Sequence, residues 1–179
     1  MVLIQFTGLS GSGKTTLALN VQKLLHQKGY EVEVIDGDVY RQKFCSDLGF
    51  SKEDRYESIK RLFSIAEGFV KSNKIVLMAV INPYEYLRNE LGKNDFVKLV
   101  YLDCKLENLI KRDTKGLYFK ALLPDENPNK ILNFTGISDV FEIPKIADLV
   151  LKTDSETVAV SQSKLYNFII QIIENNSSN

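Results

Sequence analysis

Eight residues near the start of the chain, Gly8-Leu9-Ser10-Gly11-Ser12-Gly13-Lys14-Thr15, carry the spacing GxxxxGK[ST]. Small residues there leave successive backbone N–H groups free to wrap a chain of phosphates, and a helix opening at the end of the segment adds its dipole. Lys14 is placed to reach β- and γ-phosphates and Thr15 to ligate Mg²⁺. The candidate ATP-binding residues are therefore Gly8, Ser10, Gly11, Ser12, Gly13, Lys14, Thr15 and Thr16. A glycine-rich turn with no ligand is the alternative, but the motif follows an apolar run and opens an amphipathic one, the context that phosphate binding requires.

A second cluster, Asp36-Gly37-Asp38, ends another apolar run and puts two carboxylates at the C-terminal edge of a sheet, where open α/β folds bind ligands. Asp36 is the candidate to join Thr15 in a Mg²⁺ shell, and Asp38 the candidate to orient an attacking hydroxyl and accept its proton. In this reading Arg41 faces an anionic group of the acceptor. In the alternative, Asp38 only N-caps the next helix and Arg41 is a surface charge. A GTPase switch would carry an NKxD-type guanine reader after a later strand. Gly92-Lys93-Asn94-Asp95 has those letters in the wrong order and reads as a surface turn.

Five apolar runs rich in β-branched residues have to position these groups: Val2 to Thr7, Glu31 to Ile35, Lys74 to Ile81, Phe96 to Leu102 and Asp148 to Lys152. Helical patterns alternate with them, which predicts an α/β P-loop NTPase fold, a parallel five-stranded sheet with helices on both faces and a lid. Between the first two runs Leu17, Val21, Leu24 and Leu25 share a helical face, and Gly29 stands where that helix would stop. A long helix is predicted from Ser51 as N-cap, turning Ile59, Leu62, Phe63, Ala66 and Val70 inward. Pro124 to Asn129 reads as loop. Val158, Leu165, Phe168, Ile169 and Ile172 suggest a last docked helix. The expected organisation is one kinase domain over residues 1–174, with a lid at about 112–136, and a disordered tail over 175–179.

The 179 residues carry 23 basic and 23 acidic side chains, so no strong positive field is available to hold a nucleic acid. No stretch reaches the roughly 18 apolar residues of a membrane span. Cys45, Cys104 and the single His26 do not have zinc-site spacing. Reduced thiols and an opening that reads as a buried strand predict a cytoplasmic protein.

Taken together, five motifs in order resemble those of the adenylylsulfate (APS) kinases: Gly8 to Thr15, Asp36-Gly37-Asp38 with Arg41, Asp47-Leu48-Gly49-Phe50-Ser51 with Glu53-Asp54-Arg55, Lys115-Gly116-Leu117-Tyr118, and Asn133-Phe134-Thr135-Gly136-Ile137. The resemblance covers nearly the whole chain. It implies transfer of the γ-phosphate of ATP, with Mg²⁺, to the ribose 3′-hydroxyl of a small nucleotide whose 5′ end carries a mixed anhydride, and possible homodimers. It implies Asp38, Lys14 and Lys115 as catalytic residues, and Arg112 beside ATP in the lid. Asp38, Arg41, Phe50, Arg55, Ser58, Lys115 and Phe134 are implied at the acceptor, with Phe50 and Phe134 sandwiching its base.

The departures from the family pattern fall in the acceptor half. Val39 replaces an Asn after DGD, Ser58 replaces an acceptor-binding Asn, and the ISPYR segment is Ile81-Asn82-Pro83-Tyr84-Glu85. Glu85 would disfavour an anionic ligand if it faced the site. The lid is about five residues longer than usual between Tyr118 and Asn133, and such loops tune specificity. These changes make the chain look like the divergent APS-kinase-like enzymes that phosphorylate cytidine diphosphoramidate in capsule phosphoramidate pathways. APS itself, as in sulfate assimilation, is the alternative acceptor. A noncatalytic ATP-binding regulatory module is the rival from another class, and it would have no need of Asp38, Arg41 and Lys115 together.

Overall fold

A computed structural model describes residues 1–177. Five strands form one parallel sheet: β1 (Leu3–Thr7), β2 (Val32–Asp36), β3 (Ile75–Ala79), β4 (Val97–Asp103) and β5 (Leu149–Lys152), in the order β2-β3-β1-β4-β5. Each matches one of the apolar runs to within two residues at either end. Strand β1 is central, and the chain builds first to one side of it and then to the other. That reversal opens a crevice at the C-terminal ends of the strands, and Gly8 and Gly37 both stand there.

The pleat of β1 sorts its side chains between two layers. Val2, Ile4 and Phe6 pack with Leu17, Ala18, Val21 and Leu25 of α1 (Lys14–Gln27) and with Leu165 and Ile169 of α7 (Val158–Ser177). Leu3 faces the opposite layer, where Ile59, Leu62 and Ala66 of α3 (Lys52–Lys71) and Leu87 and Leu91 of α4 (Glu85–Leu91) lie. Burying a side chain of this size contributes about 1.5–3 kcal/mol, so both faces of the sheet hold the strand ends in place.

Helix ends follow local chemistry. The Ser51 hydroxyl accepts a bond from the Asp54 N–H and caps α3, as its position predicted. Helix α1 ends with Gly29 at φ +84, its N–H donating to the His26 carbonyl. Short helices complete the chain: α2 (Gly37–Phe44), α5 (Leu106–Arg112) and α6 (Leu117–Ala121).

Three expectations need adjustment. Val158 is exposed at the first turn of α7 rather than docked, because the buried stripe begins at Ser161 and Leu165. Phe63 and Val70 are only partly buried, packed against the edge of the α3 layer. Helix α7 runs on to Ser177, so residues 175–177, expected in the tail, are helical; residues 178–179 lie outside the described ones. Among the described residues no helix is long and apolar enough to cross a membrane.

Candidate active site

The phosphate-binding segment joins β1 to α1. Gly8 has φ +146, and a Cβ there would lie 2.7 Å from the Leu102 carbonyl of β4, so only glycine passes between the two strand ends. Gly11 and Gly13 also take positive φ, folding the backbone into a cradle that ends on the first turn of α1. Lys14 is buried, and its ammonium donates to the carbonyls of Gly8 and Leu9, each at 2.8 Å, and to the Ser12 hydroxyl at 3.4 Å. Burial pushes its pKa down to about 7, with Lys115 adding to the fall and Asp38 and Asp36 opposing it.

Asp36 does two things at once. One carboxylate oxygen accepts from the N–H groups of Asp38 and Val39 and so caps α2, while the other accepts from the Thr15 hydroxyl at 2.6 Å. The helix-capping alternative considered for Asp38 therefore falls to Asp36. The paired hydroxyl and carboxylate are hard oxygen donors beside the cradle, and a Mg²⁺ riding on ATP phosphates fits such a set. Thr15 and Asp36 would hold that ion, which would supply neutralisation of the phosphate charge.

Asp38 faces solvent, with 76% of its side chain exposed, and its carboxylate pairs with the Lys115 ammonium at 2.6 Å. Between this pair and α3 opens a cleft of about 650 Å³. It is lined at one end by Ser10, Gly11, Gly13 and Lys14 to Thr16, and at the other by Arg41, Phe50, Arg55 and Ser58. Val39 and Thr114 flank it, and Val80 to Pro83 form its floor beyond β3. Gly8 and Ser12 stay below the cradle as scaffold, Ser12 buried and bonded to Lys14.

The two arginines converge on Phe50, whose ring is 59% exposed. The Arg41 guanidinium lies 4.6 Å and that of Arg55 5.5 Å from the ring centroid. Arg41 donates to the Gly49 carbonyl, and Arg55 to those of Phe50 and Asn133. Burial lowers the pKa of Arg55 from its ordinary value, against the attraction of Asp139 at 3.3 Å. Ser58 is buried one turn further along α3 and lines the cleft.

Two residues expected at the site are not among those lining the main cleft. Phe134 does not line the cleft; it packs edge-on against Tyr118, with centroids 5.0 Å apart, in a small apolar cluster with Leu9, Cys104 and Leu109. Gly136 explains why, since a Cβ there would stand 2.7 Å from Leu9, pressing this segment onto the underside of the phosphate cradle. Arg112 also lies outside the main cleft, beside a small depression next to Ser10 and Gly11, and donates to the Thr153 carbonyl at 3.0 Å. Tyr118 ties the same region down, its hydroxyl donating to the Ser10 carbonyl at 2.9 Å. Glu85 does not face the cleft. Its carboxylate is 2.7 Å from the buried Arg88, which neutralises it and holds its pKa below the usual value.

Sequence reasoning placed Ile81, Asn82 and Pro83 in the acceptor half through the family pattern but did not name them as site residues, and it missed Val80. The available signal was the position of β3: its C-terminal end lies beside β1, so the residues that follow it must border the crevice.

Fold and site together define a P-loop kinase: a phosphate cradle, a carboxylate at the sheet edge, and an acceptor cleft with two arginines. Residues 1–152 match the adenylylsulphate kinase family, and the chain belongs to it. It is 44% identical over 170 residues to an adenylyl-sulfate kinase of Halothermothrix orenii, covering 94% of this chain and 89% of that one. It is 46% identical over 154 residues to one from Chloroflexus aurantiacus, covering 86% and 80%. The structure of a Mycobacterium tuberculosis APS kinase in complex with AMPPNP and APS superimposes with a TM-score of 0.86 at 34% identity, covering 94% of this chain and 96% of that one. Membership makes the chain an ATP-dependent phosphotransferase with a hydroxyl acceptor.

Proposed function

We propose that the chain is an adenylyl-sulfate kinase, which transfers the γ-phosphate of ATP to the ribose 3′-hydroxyl of APS. The observation that carries this reading is the position of Asp38. It stands free in the cleft, between the phosphate cradle and the Arg41, Phe50 and Arg55 group, with the Lys115 ammonium on its carboxylate. The names of the relatives support the same acceptor over the cytidine compound that the departures suggested. Val39 and Ser58 do line the cleft, but the strongest objection to a sulfate-bearing acceptor, the charge of Glu85, is cancelled by Arg88 outside it.

Each residue has a step in the transfer. Arg41 and Arg55 hold the acceptor's anionic 5′ group by charge-assisted hydrogen bonds. The Asp38 carboxylate accepts the 3′-hydroxyl proton as the O3′–Pγ bond forms and the bond from Pγ to the bridging oxygen of ADP breaks. Lys14 and Lys115 place positive charge on either side of the moving phosphoryl group, where negative charge spreads. Lys115 can do so only by leaving Asp38, so the ion pair holds both groups in place until substrates separate them.

The test is ADP release by the purified protein with Mg²⁺-ATP, comparing APS and cytidine diphosphoramidate, with the phosphorylated position located by ³¹P NMR. The expected result is 3′-phosphorylated APS at a much higher kcat/KM. Preference for the cytidine compound would overturn the assignment and make Val39 and Ser58 parts of a respecified pocket.

A further inference from the structure

Arg88 is the largest side chain buried without exposure, and it is not among the residues lining the cleft. A buried guanidinium is costly unless its donors are met, and here both terminal nitrogens are met, from two stretches of chain, while Nε has no partner among the described residues. One terminal nitrogen donates to the Asn82 carbonyl at 2.8 Å. The other donates to the Glu85 carboxylate at 2.7 Å and to the Glu142 carbonyl at 2.6 Å. The guanidinium also lies 5.9 Å from the centroid of the Phe141 ring.

The segments joined in this way are the cleft floor and a strap that crosses beside it. Three backbone contacts repeat the connection: Glu142 N–H to the Pro83 carbonyl at 2.9 Å, Glu85 N–H to the Glu142 carboxylate at 2.5 Å, and Lys145 N–H to the Glu85 carboxylate at 3.4 Å. The strap begins at Asp139, whose carboxylate holds Arg55 and whose carbonyl accepts from the Gly136 N–H. Displacing the strap would therefore move the anchor of an acceptor arginine, and displacing the floor would move Asn82 and Pro83.

We propose that Arg88 is the positioning residue of the acceptor half: by stapling Asn82 to Glu142 it fixes the cleft floor and, through Asp139, the placement of Arg55. Glu85 belongs to this staple, because its carboxylate balances the buried charge. The role assigned to Arg55 rests on the function proposed above, whereas the staple itself does not.

Two variants test it, Arg88→Lys, which keeps the charge but loses the planar fork, and Glu142→Ala, which removes the carboxylate that accepts from the Glu85 N–H and leaves the Arg88 bond to the Glu142 carbonyl in place. Steady-state kinetics with APS and ATP are read beside hydrogen exchange of the peptides spanning 82–85 and 139–145. Arg88→Lys should raise the acceptor KM roughly tenfold and Glu142→Ala about threefold, with kcat and the KM for ATP within about twofold of wild type. Both should speed exchange in the two peptides and leave β1 unchanged. Equal losses on the ATP and acceptor sides, or unchanged exchange and acceptor KM in folded protein, would overturn the proposal. Should Arg88→Lys not fold, Glu142→Ala tests the link between floor and strap by itself, and wild-type exchange with a wild-type acceptor KM there would overturn the proposal. Should wild type not use APS, the reading of the acceptor fails, and exchange alone decides the staple.

Discussion

The two ends of the cleft are built in opposite ways. The ATP end comes from one contiguous segment, and its groups are mostly backbone N–H and a lysine that is only 8% exposed. The acceptor end is assembled from side chains of α2, α3 and the residues after β3, and its central ring, Phe50, is 59% exposed. At the first end the geometry is fixed by sterics, since Gly8 and its neighbours permit little else. At the second, Arg41 and Arg55 already spend donors on the carbonyls of Gly49, Phe50 and Asn133. An acceptor therefore exchanges existing bonds for new ones, and the affinity there depends on the difference between them. The chemistry of phosphate binding is thus set locally, while selection of the acceptor is spread over many weak arrangements.

The largest effect should come from the group between the two ends. Asp38→Asn keeps the shape of the cleft but removes the base, and turnover should fall about 10²- to 10⁴-fold while ATP still binds. Lys14→Met acts on the ATP end alone and should lower turnover roughly 10²- to 10³-fold with weakened ATP binding. Both are read by coupled ADP release and by calorimetric titration with ATP. An Asp38→Asn enzyme with wild-type turnover would remove this carboxylate from the mechanism.

A pair of ring substitutions sharpens the contrast within the acceptor half. Phe50→Leu removes an exposed ring that the two arginines flank, so it should raise the acceptor KM several-fold, about 1 kcal/mol, without moving the thermal midpoint. Phe134→Leu removes a ring packed on Tyr118 and should cost about 1–2 kcal/mol of stability, a fall of roughly 4 °C at this chain length. Thermal melts and acceptor titrations separate the two. If Phe134→Leu raised the acceptor KM as much as Phe50→Leu at unchanged midpoint, the sandwich expected from the sequence would form when the acceptor binds.

The same contrast governs what could be read from the sequence. The placement of Asp36, Lys14 and Thr15 was legible because it follows from neighbours a few residues away, and the five apolar runs placed the strands that carry them. Ser51 was legible as a cap for the same reason, its hydroxyl bonding three residues ahead. Phe134 was not, since its burial depends on Leu9 and Tyr118, distant in sequence and brought together by the close approach at Gly136. Glu85 read as an intruding charge because Arg88, one turn on, could not be known to be buried beside it. The sequence offered only Asp38 as a cap for α2, but the helix starts two residues earlier than such a cap would allow, and Asp36 caps it.

The smallest predicted effect separates the two ends by pH. With its pKa near 7, Lys14 is about half protonated at pH 7 and about one-eleventh protonated at pH 8 in the empty enzyme. ATP phosphates favour the charged ammonium, so binding above pH 7 should draw in a proton, and affinity for Mg²⁺-ATP should fall about fivefold between pH 7 and 8. The sign for folding is the reverse. The unfolded chain, with an ordinary lysine, binds more protons than the folded one between about 7 and 10.5, so this group's contribution to the stability of the empty enzyme rises with pH across that window. Calorimetry in buffers of different ionisation enthalpy measures the proton uptake directly. Acceptor binding, held by guanidinium groups rather than by an ammonium, should show no such uptake over this pH range. Flat ATP affinity between pH 6.5 and 8.5 would mean that Lys14 is charged in the empty cradle. The carbonyls of Gly8 and Leu9 would then offset its burial completely.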